Sequence, residues 1–295
     1  MPPATKVEVE VGRHRLTLSN LDKVLYPEAQ FTKSEVIDYY ARIAPVMVPH
    51  LAGRPITFKR YPDGVEGKFF FEKNAPSHAP EWVPTLPIDD INYPRIEEPA
   101  TLVWAANLAA IEIHPGLARA QHIRRPDHVV FDLDPGEGTD VIECCEVALW
   151  LRDALSDLGL ECFAKTSGSK GLQVYLPLHT PCDFEDTRAF SLAIAQLLEK
   201  WHPELIVTTQ ERDKRKEKVL IDWLQNASFK TTIGVYSLRA RGRPTVSTPV
   251  TWDEVIAAQT ASDLRFEAAD VLARVQQHGD LWAEMLTVVQ TLPGK

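Results

Sequence analysis

Residues 129–136 read Val-Val-Phe-Asp-Leu-Asp-Pro-Gly, an apolar run ending in two carboxylates, Asp132 and Asp134, and stopped by Pro135-Gly136. Such a run predicts a buried strand, and strand side chains alternate faces, so positions i and i+2 point the same way. Two carboxylates side by side with no basic neighbour repel each other unless a cation stands between them. Mg²⁺ and Mn²⁺, hard ions that take oxygen ligands and hold substrate phosphates, suit that arrangement. The structural alternative is a turn that uses Asp for its side-chain hydrogen bonds. An EF-hand loop is excluded, because Gly136 and Glu137 stand where a third oxygen ligand and the turn glycine belong.

The chain has 295 residues, 44% hydrophobic and 25% charged, the balance of a globular protein with a sizeable core. No apolar run reaches transmembrane length, and the first residues, Met-Pro-Pro-Ala-Thr-Lys, lack the apolar stretch of a signal peptide. Cys144, Cys145, Cys162 and Cys182 form no CxxC pair, which favours reduced thiols in a cytoplasmic protein. A net charge of −9 argues against indiscriminate coating of nucleic acid but allows a local basic face. Arg119, Arg124 and Arg125, the run 212–218 and the run 239–243 are the dense basic clusters.

Alternation predicts a hairpin from residues 7–11 and 15–18, and Thr32-Lys-Ser-Glu35 is a capping box that opens a helix ending near Gly53. Short strands are expected at 56–60 and 68–72, with a proline-rich surface excursion over 76–99. Trp104, Leu108 and Ile111 suggest a buried helix that delivers Glu112 and His114 to its end. Beyond Asp134 the pattern gives a helix over 141–158, strands at 162–165 and 172–176, a helix over 184–201, and a strand at 218–223 carrying Asp222. Mixed elements along the whole length favour one two-lobed domain over 1–295.

Ser167-Gly-Ser-Lys-Gly171 is a small turn whose amides, hydroxyl and Lys170 can converge on phosphate oxygens, though it is not a Walker A loop. Its alternative is a plain hairpin turn with a solvated lysine. Asp222 lies within an apolar strand, where a charge needs a metal or an ion pair.

In order along the chain, Ile111-Glu-Ile-His-Pro, Phe131-Asp-Leu-Asp-Pro-Gly, Thr166-Ser-Gly-Ser-Lys-Gly-Leu and Leu220-Ile-Asp-Trp-Leu-Gln-Asn resemble the motifs of the polymerase domain of bacterial ligase D, in the archaeo-eukaryotic primase superfamily. The resemblance extends to Leu21-Asp-Lys-Val-Leu-Tyr-Pro27, Phe69-Phe-Phe-Glu-Lys73 and Lys230-Thr-Thr-Ile-Gly-Val-Tyr-Ser-Leu-Arg239, and it covers about residues 16 to 290, as a stand-alone polymerase or an excised domain.

It implies an α+β primase-polymerase fold with mixed and antiparallel sheets, flanking helices and two lobes around a central cleft. It also implies a nucleotidyltransferase that extends DNA 3′ ends and fills gaps in non-homologous end joining, with nucleoside triphosphates as substrates. Asp132, Asp134 and Asp222 would bind two Mn²⁺ or Mg²⁺ ions. His114, Ser167, Lys170, Gln173, Arg215 and Arg239 would contact the nucleotide, with Lys59 and Gln225 as weaker matches. Phe70 and Phe71 would stack on a base. Asn20, Lys23 and Lys33 would receive the 5′-phosphate of a gap or end. DNA ends, Ku and a DNA ligase are the partners implied, with no membrane and a cytoplasmic, nucleoid-associated location. The family usually continues its second motif Gly-Leu-His, where this chain has Gly171-Leu172-Gln173; glutamine donates but cannot become cationic.

Two rival readings are weighed. A haloacid-dehalogenase-like phosphatase also starts from a strand ending Asp-x-Asp, but near the N-terminus and with Thr or Val where Gly136 stands. A non-catalytic DNA-end scaffold need not keep three carboxylates.

Overall fold

The computed structural model describes residues 6–294. In chain order the elements are β1 (Lys6–Val11), β2 (His14–Ser19), β3 (Val24–Tyr26), β4 (Phe31–Thr32), α1 (Lys33–Leu51), β5 (Ile56–Arg60), β6 (Phe70–Glu72), β7 (Thr85–Ile88), β8 (Ile91–Pro94), α2 (Pro99–Asn107) and β9 (Ala110–Pro115). There follow β10 (His128–Pro135), α3 (Val141–Asp157), β11 (Phe163–Thr166), β12 (Leu172–Pro177), α4 (Phe184–Trp201), β13 (Ile206–Val207), β14 (Val219–Asp222), β15 (Pro249–Val250), α5 (Trp252–Ala257) and α6 (Ala268–His278). They gather into two compact units. The first comprises the chain up to Gly116 with 233–246 and 267–279; the second comprises 117–232, 247–266 and the chain from Asp280. Among the described residues no helix is long and apolar enough to cross a membrane.

In the first unit, Thr32 caps α1: the Glu35 amide donates to its Oγ1 at 3.4 Å, and Glu35 takes the Thr32 amide at 2.7 Å. Val36, Tyr40, Ile43, Met47 and Leu51 then fall on one helical face and are fully buried. A three-stranded antiparallel sheet runs β6-β5-β9. Ile56, Phe58, Ile111 and Ile113 are fully buried, so the alternate positions Thr57, Lys59, Glu112 and His114 share the other face. Lys59 stands opposite both Glu112 and Phe71, making one transverse row.

One expectation is corrected here. The apolar run after Trp104 is not one helix: α2 stops at Asn107, Ala109 turns the chain at φ +58°, and Glu112 and His114 ride on strand β9. The alternation Ile-Glu-Ile-His, with β-branched residues inward, is the period-two signal that decides it. The proline-rich excursion over 76–99 contains a hairpin, β7 and β8, closed at Asp89-Asp90. Pro87 and Pro94 fit because a two-stranded ribbon has only edges.

In the second unit a six-stranded sheet has the order β13-β14-β10-β12-β11-β15, antiparallel except for the β13–β14 pair. Val129, Phe131 and Leu133 of β10, Leu172, Val174 and Leu176 of β12, and Val219 and Ile221 of β14 form the core with Val141, Cys144, Ala148, Leu151, Ile194 and Leu198 of α3 and α4. Alternation therefore sends Asp132, Asp134, Gln173 and Asp222 to the face away from those helices. All four cysteines are buried and unbridged.

Candidate active site

Strand register places the second unit's polar groups in line. Asp222 of β14 pairs with Asp132 of β10, Asp132 pairs with Gln173 of β12, and Gln173 pairs with Lys165 of β11. One transverse row thus crosses four strands, with Asp134 two residues further along β10. Directly opposite residues have Cβ atoms about 4.5–5.5 Å apart, close enough for their carboxylates to share an ion. Gln173, only 3% exposed, links the row: Lys165 Nζ donates to its Oε1 at 2.5 Å, and its Nε2 donates to Asp132 Oδ1 at 2.9 Å. Lys165 also donates to Ser247 Oγ at 2.7 Å and lies 5.3 Å from the Tyr175 ring centroid.

Burial, then the neighbouring charges of Asp134 and Asp222, push the Asp132 carboxyl up to about 7, against the Gln173 hydrogen bond that favours ionisation. Asp222 is raised as well, first by burial and then by Asp134, while the Leu224 amide opposes. Carboxylates pulled toward neutrality by one another, all with oxygen donors, fit a hard divalent cation. As the side chains lie, no three His, Cys, Asp or Glu among the described residues form a ready ligand set. Amides engage the oxygens instead: Gln210 and the Leu224 N–H reach Asp222 Oδ1 at 3.0 Å each, and Gln225 reaches Oδ2 at 3.4 Å. The backbone supplies the convergence.

Glycines let loops crowd this row. A Cβ at Gly136 would run into the Arg215 carbonyl, and one at Gly171 into the Leu133 carbonyl. Gly136 N–H donates to Lys218 O at 2.8 Å and Glu217 N–H to Glu137 O at 2.7 Å, stitching Arg215 to the end of the Asp132/Asp134 strand. In the turn after β11, Ser167 Oγ accepts from the Ser169 and Gly171 amides at 3.2 and 3.1 Å, Gly168 takes φ +67°, and Lys170 is exposed. The Gln225 Oε1 is buried without a hydrogen-bond partner.

The first unit holds a separate cationic cluster. Glu112, 2% exposed, accepts from His114 Nε2 at 2.9 Å, Arg239 Nε at 3.3 Å and the Ala240 amide at 3.1 Å, and lies 3.8 Å from Lys59 Nζ. Burial alone would raise this carboxyl, but His114, Arg239 and Lys59 together hold it well below the usual carboxylate range. Burial lowers Lys59, with Glu112 opposing, and lowers His114 likewise. Phe69, Phe70 and Phe71 are 51%, 44% and 56% exposed, too open for core. Lys59 Nζ lies 4.3 Å from the Phe69 centroid and 5.6 Å from that of Phe71; the Arg60 guanidinium lies 5.1 Å from that of Phe70.

Asn20 and Lys23 share one turn, and Lys33, the first residue of α1, is joined to it by its amide donating to Lys23 O at 2.8 Å. Asn20 is exposed at φ +53°, the Lys23 amide donates to its carbonyl at 3.1 Å, and Lys23 pairs with Asp63 at 3.1 Å. Lys33 is not a plain surface residue: it is buried, donates to Ser19 O at 2.6 Å, and is lowered to about 8 by burial and then by Lys23 and Arg60.

Sequence reasoning passed over Lys165, Phe69 and Gln210 and gave Glu112 no task. For Lys165 and Glu112 the signal was present, a charged residue inside an apolar alternating strand, the same signal that singled out Asp222.

A mixed α+β fold with a carboxylate row on the face of its larger sheet away from α3 and α4 is the arrangement expected of a primase-polymerase domain. The family described as LigD, primase-polymerase domain, matches residues 32–282. The chain belongs to this family, and the phosphatase reading falls with that result. It is 44% identical over 277 residues to the multifunctional non-homologous end joining protein LigD of Mycolicibacterium smegmatis, covering 92% of this chain and 36% of that protein. It is 33% identical to the bifunctional non-homologous end joining protein LigD of Bacillus subtilis, covering 90% of this chain and 43% of that protein. The chain therefore spans well under half the length of these curated relatives. The polymerase domain from Mycobacterium tuberculosis ligase D, solved in complex with DNA, superposes with a TM-score of 0.87 at 40% identity, covering 93% of this chain and 99% of that one.

Proposed function

We propose that this chain adds ribo- or deoxyribonucleotides to DNA 3′ ends, filling gaps and extending ends for non-homologous end joining. The observation that carries this reading is the row Asp222–Asp132–Gln173–Lys165, with Asp134 beside it on the same strand face. Support comes from relatives named for end joining and from a structural neighbour solved with DNA.

Asp132, Asp134 and Asp222 would hold two divalent ions, Mn²⁺ or Mg²⁺. Ions held by these three carboxylates would supply the Lewis acidity that activates a primer 3′-hydroxyl and offsets the charge of the triphosphate and the leaving pyrophosphate. Gln173 fixes one Asp132 oxygen by hydrogen bond, and through Gln173 the Lys165 charge tempers the repulsion of the carboxylates. Ser167, Lys170 and Arg215 supply amide, hydroxyl and cationic contacts for phosphates. The orphaned Gln225 Oε1 offers an acceptor to a ligand hydroxyl. Lys59, His114 and Arg239 take triphosphate oxygens, and exposed Phe70 and Phe71 stack on bases. Asn20, Lys23 and Lys33 receive a 5′-phosphate. Ku and a DNA ligase are the partners of such an enzyme at a break.

The test is primer extension on a gapped duplex, with and without a 5′-phosphate, comparing ribo- and deoxyribonucleotides in Mg²⁺ and Mn²⁺. Extension is expected and should vanish in Asp132→Ala and Asp134→Ala. A folded wild type that binds gapped DNA but adds nothing under any of these conditions would instead support the scaffold reading.

A further inference from the structure

Glu112 is an acid where an anionic substrate is expected, and its contacts account for it. On the polar face of the β5–β9 pair it stands directly opposite Lys59, and its neighbour two positions on is His114. Its carboxylate meets groups from three chain segments: Lys59 of β5, His114 of its own strand, and Arg239 with the Ala240 amide from residues 233–246. The same segment is tied down by backbone contacts. Tyr26 Oη donates to Arg239 O at 3.0 Å, Arg239 N–H donates to Thr245 O at 2.8 Å, and the Gly234 amide donates to Ile113 O at 2.8 Å. These contacts hold the segment independently of Glu112, whose own backbone contact is the single Ala240 amide, and what the carboxylate chiefly adds is the placing of the Lys59, His114 and Arg239 side chains. Lys59 and Arg239 would otherwise repel one another, and all three side chains would sample more rotamers.

We propose that Glu112 is the positioning residue of this cluster, holding Lys59, His114 and Arg239 in the arrangement that receives a nucleoside triphosphate. The inference rests on the reading that these three groups bind the nucleotide. It makes a prediction opposite in sign to simple electrostatics. A carboxylate near a polyanion repels it, so a bystander Glu112 would weaken binding, and neutralising it would strengthen binding. A positioning Glu112 gives the reverse. Preorganisation of the cations is lost when the carboxylate goes, and affinity drops.

The experiment measures equilibrium binding of a fluorescently labelled ATP, with KM and kcat for extension, in wild type, Glu112→Gln, Glu112→Asp, Arg239→Ala and the double variant Glu112→Gln/Arg239→Ala. Thermal unfolding identifies the folded variants, and Glu112→Asp keeps the charge should Glu112→Gln fail to fold. Glu112→Gln is expected to weaken binding about tenfold, the scale of one lost charge-assisted contact, and to raise KM far more than it lowers kcat. Glu112→Asp, with its charge one methylene short, should lose part of the affinity. In the Arg239→Ala background the Glu112→Gln effect should shrink toward nothing, as residues that act as a unit are non-additive. Unchanged or tighter binding by both Glu112 variants overturns the proposal. Equal effects of Glu112→Gln with and without Arg239 overturn it too, since a merely structural role would give additive losses. If Arg239→Ala binds labelled ATP as wild type does, the nucleotide reading beneath the proposal fails as well, and that outcome is distinct from the other two.

Discussion

Asp132 faces Asp222 across the strand pair and has Asp134 two residues away, so burial and these two carboxylates raise the pH at which it ionises. In an unfolded chain its carboxyl ionises at about pH 4, whereas in the fold it holds its proton up to about 7. Between those values the folded form binds a proton that the unfolded form has released, so without a cation the fold loses stability as pH rises through this window. Below pH 4 the penalty is absent. In chelator, the fall in Tm from pH 5 to pH 8 should therefore be steeper for wild type than for Asp132→Asn, and Mn²⁺ should raise the wild-type Tm more at pH 8 than at pH 5. Scanning calorimetry at the two pH values checks both signs, and identical slopes for the two proteins would contradict them. Gln173 explains how one position can hold either glutamine or the histidine usual in the family. Both present an acceptor at one end and a donor at the other, which is what lies between Lys165 Nζ and Asp132 Oδ1. Gln173→Leu presents neither and removes one hydrogen bond from each of two charged groups, Lys165 and Asp132, at a cost of about 2 kcal/mol. Gln173→His should cost much less. Urea denaturation of the two variants separates these outcomes.

Much of the architecture is written in local periodicity, and what is missing from the sequence is pairing. The Asp132/Asp134 strand, the capping box of α1 and the helix Phe184–Trp201 follow from patterns within a few residues. The run 104–114 is ambiguous because short apolar segments fit both helix and strand; the left-handed turn at Ala109 ends the helix, and the period-two alternation begins just after it. No local pattern shows that Lys165 stands in line with Asp132, since that follows from the register of β10, β12 and β11. The family resemblance supplied Asp222 to the site for the same reason, by motif order, and the β10–β14 register then gave it a physical partner. Close loop packing is equally invisible beforehand. Gly136 must accept the Arg215 carbonyl where any Cβ would collide. Gly136→Ala should push the 215–218 loop off the strand end, destabilise by about 1–3 kcal/mol as a backbone overpacking change, and speed limited proteolysis within 211–218. Cleavage kinetics unchanged from wild type would show that the loop does not depend on this contact.

Across the whole molecule the net charge is −9, so DNA must be met by local groups rather than by the overall field. Binding to a gapped duplex should weaken with salt only in proportion to a few phosphate contacts. A 5′-phosphate pocket containing Lys33, as proposed, would make the preference for that phosphate pH-dependent. Burial, with Lys23 and Arg60 nearby, lowers its pKa to about 8, so its charge in the free protein is lost as pH rises through that value. The ratio of affinities for phosphorylated and unphosphorylated gaps should fall between pH 7 and pH 9 in wild type and be flat in Lys33→Ala. Fluorescence anisotropy with the two duplexes reads it directly, and a ratio constant with pH in wild type would remove Lys33 from the pocket. The central claim, that Asp132, Asp134 and Asp222 together hold divalent cations, has its most direct test in Mn²⁺ binding followed by electron paramagnetic resonance, with a non-hydrolysable nucleoside triphosphate present. Two bound ions per wild-type chain are predicted, with loss of both in Asp132→Asn and of at least one in Asp222→Asn. Undiminished Mn²⁺ binding by a folded chain in which all three aspartates are replaced by asparagine would contradict it.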